Sequence, residues 1–325
     1  MPLYLSEADV GRLLTMEACI EAVEAAFKHW ATGRAANRPR SRATIAGAML
    51  HALPAASEPL GRLAAKVYVT TKGGNRFVVL LFDAVSSELL AIIEADRLGQ
   101  VRTGAATGVA TRHLARPDAR VLGVLGAGWQ AETQVRAIAA VRRLEEVHVF
   151  ARDRGRLIDF CGAVAKIGVA VRAAASAEAA VRGADIVVTA TSAATPVLAG
   201  AWLAQGAHVN AVGSNRPDRR ELDGDAVARA GLIVCDSIEQ ARLEAGDLLL
   251  AETAPGMPGP IARAVELAAI VSGKHPGRPD ARAITLFKSL GLGIEDLAAA
   301  SLVFDRARDA GAGRLIPAGD RAIHA

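Results

Sequence analysis

Cysteine is scarce in this 325-residue chain: Cys19, Cys161 and Cys235 stand alone, with no CxxC spacing. That argues against a disulfide framework and a cysteine zinc site. His51, His113 and His208 are scattered without ligand spacing, so no metal is expected. No window approaches the apolar run needed to span a bilayer. The opening "MPLYLSEADVGRLL" has acidic residues early and no apolar h-region, so no signal peptide is expected and the cytoplasm is the default location. Nor is charge concentrated: 38 basic against 34 acidic residues leave +4, spread thinly. This excludes a nucleic-acid stripe and a polybasic membrane patch.

What is present is 51% hydrophobic residues with only 4% aromatic, an Ala- and Val-rich globular composition long enough for about two domains. Ser6 with Asp9 resembles a capping box. Ile20, Val23, Phe27 and Trp30 recur at helical spacing as core. "AAKVYVTT", "RFVVLLFDA" and "ELLAIIEAD" predict an antiparallel meander, and "RTGAATGVATRHLA" a helix with Arg102 at its start. From Val121 on, strand candidates 121–125, 147–150, 186–190, 209–212 and 232–235 alternate with helices. Near-continuous apolar strands of this kind predict a parallel sheet covered on both faces. "ITLFKSLG" reads as strand or loop before one long final helix. The fold class is α/β: a Rossmann-type doubly wound sheet plus an antiparallel α+β domain.

Within "VLGVLGAGWQAETQ", residues Gly126 to Ala131 form the GxGxxA version of the dinucleotide fingerprint. Gly126 permits the tight turn and Gly128 lets a pyrophosphate approach the backbone. Trp129 and Gln130 open a helix whose N–H groups point at the phosphates. Alone this motif is a weak signal. Here it follows an apolar strand and precedes a helix. The second strand closes at Phe150, followed by Ala151 and Arg152 rather than a carboxylate. An arginine there favours NADP(H). NAD(H) stays open, because Asp153 would take the acidic role if the register were two residues off.

Substrate candidates are Arg38, Arg40 and Arg42 in "RPRSRATI", Lys66 and Arg102. Arginines at a domain boundary could clamp a carboxylate. Glu94 or Asp96 could orient Lys66 or Arg102.

The stretches "RPRSRAT", "LAAKVYV", "RTGAATGVATRHLARPDA", "VLGAGWQA", "GSNRPDRREL" and "TLFKSLGLGIEDLAAASLVFD" together resemble the ornithine cyclodeaminase/mu-crystallin family over nearly the whole chain. The resemblance implies a homodimer meeting through an antiparallel domain, residues 1–115. A C-terminal helix, about 295–325, would rejoin it, and residues 116–294 would bind the dinucleotide. The active site would lie in the cleft between domains. It further implies Arg40 (or its rival Arg42) and Arg102 as the carboxylate clamp, with Lys66 beside the reacting carbon. Thr103 would lie by the cofactor phosphates, and Ser289 and Leu290 by the nicotinamide. Thr189, Ala190 and Thr191 are counted as further cofactor contacts.

Where the family's cyclodeaminases carry an aspartate, this chain has Asn215. Cyclisation needs a base to deprotonate the side-chain ammonium, and an amide cannot serve near neutral pH. The expectation is therefore an NADP(H)-preferring reductase of α-imino acids, reversible as an amino-acid dehydrogenase, with a small imino or amino acid as its partner. Redox-neutral cyclodeamination of ornithine or lysine and non-catalytic holding of NADPH or a small acid are the alternatives.

Overall fold

The computed structural model describes residues 1–251 and 258–317. The chain divides into two compact units, Met1–Arg102 with the stretch from Leu292 on, and Thr103–Gly291. The expected boundary after residue 115 therefore moves upstream, into a helix that runs unbroken from Asp96 to Leu114.

In the first unit an eight-stranded sheet is ordered Arg314–Leu315, Leu3–Leu5, Leu89–Glu94, Gly74–Asp83, Arg62–Thr71, Ala48–Ser57, Ala35–Asn37, and Ser41–Ile45 also pairs with Ala48–Ser57. The expected meander is antiparallel. Leu3–Leu5, which no pattern announced, runs parallel to Leu89–Glu94. "SRATI", read above only for its arginines, is itself a strand. Side chains alternate between faces along a strand, and Leu53, Ala55, Ala64, Val79, Leu81, Ala91 and Ile93 fill the buried face. Lys66 sits on that face too, two residues from Ala64 and paired with Leu53 and Val79.

Beside Glu7–Leu13 and the start of Asp96–Leu114, two longer helices complete this unit. Met16–Ala31 buries Ile20, Val23 and Phe27 and leaves Trp30 half-buried. Gly293–Asp309 packs on the strands Ala48–Ser57 and Arg62–Thr71. It ends at Asp309 rather than continuing as expected; residues 318–325 lie outside the described residues. The Ser6 capping box is present, with Ser6 Oγ accepting from Asp9 N and Asp9 accepting from Ser6 N.

The second unit holds eight parallel strands ordered Ala170–Ala173, Glu146–Phe150, Val121–Leu125, Ile186–Thr189, His208–Ala211, Ile284–Lys288, Ala230–Cys235, Ala264–Glu266. The order reverses between Val121–Leu125 and Ile186–Thr189. That switch point is where doubly wound sheets bind nucleotides. Five strands fall within two residues of expectation. Ala170–Ala173 and Ala264–Glu266 escaped notice because both are short edge strands without a buried apolar run. Ile284–Lys288, left open as strand or loop, is a wholly buried interior strand. Among the described residues, no helix is long and apolar enough to cross a membrane.

Candidate functional site

The turn after Val121–Leu125 has the geometry a dinucleotide requires. Gly126 adopts φ of 118°, and a Cβ there would overlap the Ala190 carbonyl oxygen. At Gly128 a Cβ would meet nothing within 4 Å, so this backbone faces open space. Gly128 is also the N-cap of the helix Trp129–Val141 and offers no side-chain cap. Its first-turn N–H groups and dipole are therefore suited to phosphate. The turn opens into a cavity of about 510 Å³ lined by Gly126, Gly128, Ala151, Arg152, Ala190 and Thr191, among others. Trp129 is exposed and Gln130 half-buried; neither lines the cavity.

Asp153 also lines it, but its carboxylate accepts from Arg156 N at 3.0 Å as the N-cap of Arg154–Ala165. Phe150 closes the strand, so Ala151 and Arg152 follow it in the expected register.

Other expected cofactor residues stand differently. Thr189 is fully buried and donates to Glu221 Oε2 at 2.8 Å, away from the cavity lining. Thr191 N and Oγ1 both donate to Glu221 Oε1, and Gly213 N to Oε2. Ser289 and Leu290 are buried outside the cavity lining, where Leu290 N and Gly291 N donate to Asp236. Thr103 is buried beside Gly104, where a Cβ would lie 2.6 Å from the Thr133 carbonyl oxygen. The glycine of "RTGAA" thus lets its helix press on Trp129–Val141. Asn215 lies half-buried in the loop after His208–Ala211.

The first unit gathers the expected cations. Lys66 and Arg102 are 3% and 6% exposed. Lys66 Nζ lies 2.9 and 2.7 Å from the two oxygens of Asp296. Arg102 Nε donates to Asp296 Oδ1 at 2.8 Å and Nη1 to Glu295 Oε2 at 2.7 Å. Arg40 is also buried, whereas Arg42 is exposed on the strand Ser41–Ile45. Burial first, and then the Arg102 charge, push the Lys66 pKa down to about 7 against the pull of Asp296. The two acids conversely push Arg102 up.

Three expectations are corrected here. Arg102 is not at a helix start: the helix begins at Asp96, where Glu7 accepts from Asp96 N and Arg97 N, a cap supplied from far along the chain. Glu94 does not orient Lys66 or Arg102, because it accepts from Tyr4 Oη and Glu7 N. Nor does Asp96, since Glu295 and Asp296 take that role. They are the partners of Lys66 and Arg102 that the sequence reading missed. Their signal was two adjacent acids inside the apolar stretch "LGLGIEDLAAASLVF".

Two of the histidines have clear protein partners. His208 is buried between Thr285 Oγ1 and Asn210 Oδ1, its pKa pushed down to about 3 by burial. His51 stacks on Tyr68 at 4.1 Å between centroids. Among the described residues no group of three or more His, Cys, Asp or Glu could hold a metal.

In the first unit the buried guanidinium groups can fix a carboxylate beside a buried amine near its titration point. In the second, the glycine turn can receive the phosphates of a dinucleotide. The chain is similar to known proteins over most of its length. A Bacillus cereus delta(1)-pyrroline-2-carboxylate reductase is 35% identical, covering 97% of this chain and 99% of the relative. The mouse ketimine reductase mu-crystallin is 34% identical over 94% and 97%. The Thermococcus litoralis delta(1)-pyrroline-2-carboxylate reductase, solved with NADH and L-proline, superposes with a TM-score of 0.92 at 34% identity, covering 97% of this chain and all of that one. The sequence profile of the ornithine cyclodeaminase/mu-crystallin family matches residues 2–311, and the chain belongs to that family.

Proposed function

We propose that the protein is a nicotinamide-dependent oxidoreductase that reduces α-imino acids, cyclic ketimines such as Δ1-pyrroline-2-carboxylate among them, to L-amino acids. The observation that carries this reading is the joint burial of Lys66 and Arg102 on the shared carboxylate of Asp296, with Glu295 also paired to Arg102. Arg102 and Arg40 bind the substrate carboxylate by charge-assisted hydrogen bonds, and the exposure of Arg42 supports Arg40 over its rival. Lys66, as its ammonium, holds a proton at the imine nitrogen, so the C=N electron pair can settle there while the carbon is reduced. A bound nicotinamide supplies the hydride. The reverse reaction is oxidation of the amino acid.

NADP(H) is the proposed preference. Arg152 stands two residues past the second strand, lining the cavity with no carboxylate before it, and the next residue, Asp153, is engaged in capping a helix. A homodimer formed through the first unit belongs to the same reading. Its support is the exposure of Ile45, Leu50, Leu63 and Val69 on strands of that unit, and sedimentation at micromolar concentration tests it.

Cyclodeamination fits less well. It needs a base for the side-chain ammonium, and Asn215 offers an amide. Following oxidation of NADPH and NADH with Δ1-pyrroline-2-carboxylate, and with 2-oxo acids plus ammonia, tests the proposal. Consumption that Lys66→Ala and Arg102→Ala both abolish is the expected result. Consumption that survives both substitutions overturns it.

A further inference from the structure

The start of the helix Gly293–Asp309 is pinned with unusual closeness to the strand beside Lys66. A Cβ at Gly293 would lie 3.0 Å from the carbonyl oxygens of both Leu53 and Pro54, and Leu53 is the residue paired with Lys66. Ile294 N donates to Asn37 Oδ1 at 3.2 Å. Glu295 and Asp296 stand in the first turn, where the helix dipole favours anions, and both are fully buried. The charges facing Lys66 can be enumerated from each element packed on it. They are Arg40, Arg102, Asp296 and, through Arg102, Glu295, with the Tyr68 ring 6.0 Å from Nζ. His51 adds no charge near neutral pH, its pKa being pushed down to about 4, and burial keeps the Cys19 thiol protonated. Among the described residues, Asp296 is the acid that pairs with Lys66.

We propose that Asp296 is a positioning residue whose single carboxylate holds Lys66 and Arg102 in fixed register and keeps Lys66 in the ammonium form that reduction needs. This rests on the reductase reading of the same site. Glu295 pairs with Arg102 Nη1 at 2.7 Å and is assigned to the carboxylate clamp.

Asp296→Asn keeps the size of the side chain and removes its charge. The proposal is tested by an NMR titration of ¹⁵N-labelled lysine, with the Lys66 signal assigned by Lys66→Arg, and by pH profiles of kcat/KM. In Asp296→Asn, Lys66 is expected to lose its proton roughly one pH unit lower than in the wild type. The loss of kcat/KM should reach about tenfold near pH 8 and narrow toward pH 6. Glu295→Gln should raise KM for the imino acid and leave the alkaline limb in place. An unmoved Lys66 titration, or a loss equal at every pH, overturns the proposal. The titration needs neither substrate nor cofactor, so an inactive wild type would sink the reductase reading and leave this result standing by itself. Should Asp296→Asn fail to fold, Asp296→Glu retains the charge and displaces it by one methylene. Lys66 should then titrate as in the wild type while kcat falls, and an unchanged kcat overturns the proposal.

Discussion

Lys288 Nζ and Asp247 Oδ2 lie 2.7 Å apart inside the second unit, with neither side chain exposing any surface. Lys288 also donates to the Ser214 carbonyl at 2.6 Å, and Asp247 Oδ1 accepts from Glu221 N and Leu222 N. Glu221 in turn ties Thr189, Thr191 and Gly213. One buried chain of charge therefore joins the end of the strand Ile284–Lys288, the loop carrying Asn215 and the cavity wall at Thr191. Lys288→Met would strand Asp247 without its counter-charge. Breaking one side of a buried pair should cost about 3–5 kcal/mol. Denaturant unfolding measures this, and a loss below about 1 kcal/mol would show that the pair is dispensable.

The two glycines of the phosphate turn should separate folding from binding. Gly126→Ala places a Cβ against the Ala190 carbonyl at a φ that L residues rarely adopt, so both stability and cofactor affinity should fall. Gly128→Ala meets nothing in the protein. Its Tm should stay within a few degrees of the wild type while NADPH affinity drops by about tenfold or more. Thermal unfolding beside fluorescence titration reads both. Equal affinity in Gly128→Ala would contradict the assignment of the turn.

Cofactor preference gives a sharper contrast. Arg152→Ala should lower kcat/KM for NADPH by about tenfold and leave NADH nearly unchanged, since only the 2′-phosphate needs the guanidinium. A parallel loss with both cofactors would assign Arg152 to the fold instead.

The pH dependence follows from Lys66. With its pKa pushed down to about 7, the ammonium predominates below that pH and is lost above it. If the ammonium is the active form, kcat/KM for the imine falls as pH rises through about 7, approaching tenfold per unit. A profile flat from about pH 6 to 9 would contradict this role.

Much of this architecture was legible in the sequence, for definite reasons. Apolar runs such as Val121–Leu125 and Ile186–Thr189 are buried on both faces, so composition alone marks them. The glycine turn is local chemistry, readable from six residues. Lys66 and Arg102 were legible as candidate substrate cations near a domain boundary and through the family resemblance, and both are buried. What escaped depends on partners distant in the chain. Glu7 caps the helix that begins at Asp96, and Asp296 reaches Lys66 across 230 positions. Likewise Glu221, Asp247 and Lys288 form a network only once a loop, the short helix Gly246–Leu249 and the end of a strand are folded together. Pairwise contacts of this range leave no periodic trace. The available hint was a charge inside an apolar run, as in "TLFKSLG".

Every role proposed for Lys66 and Arg102 depends on hydride transfer to the carbon of an imine. The decisive measurement is an incubation of Δ1-pyrroline-2-carboxylate with NADPH deuterated on the transferred position. The expected product is L-proline carrying deuterium at Cα, formed in step with cofactor oxidation and absent in Lys66→Ala. Unlabelled proline, or ammonia released from ornithine with no net change in cofactor, would contradict it.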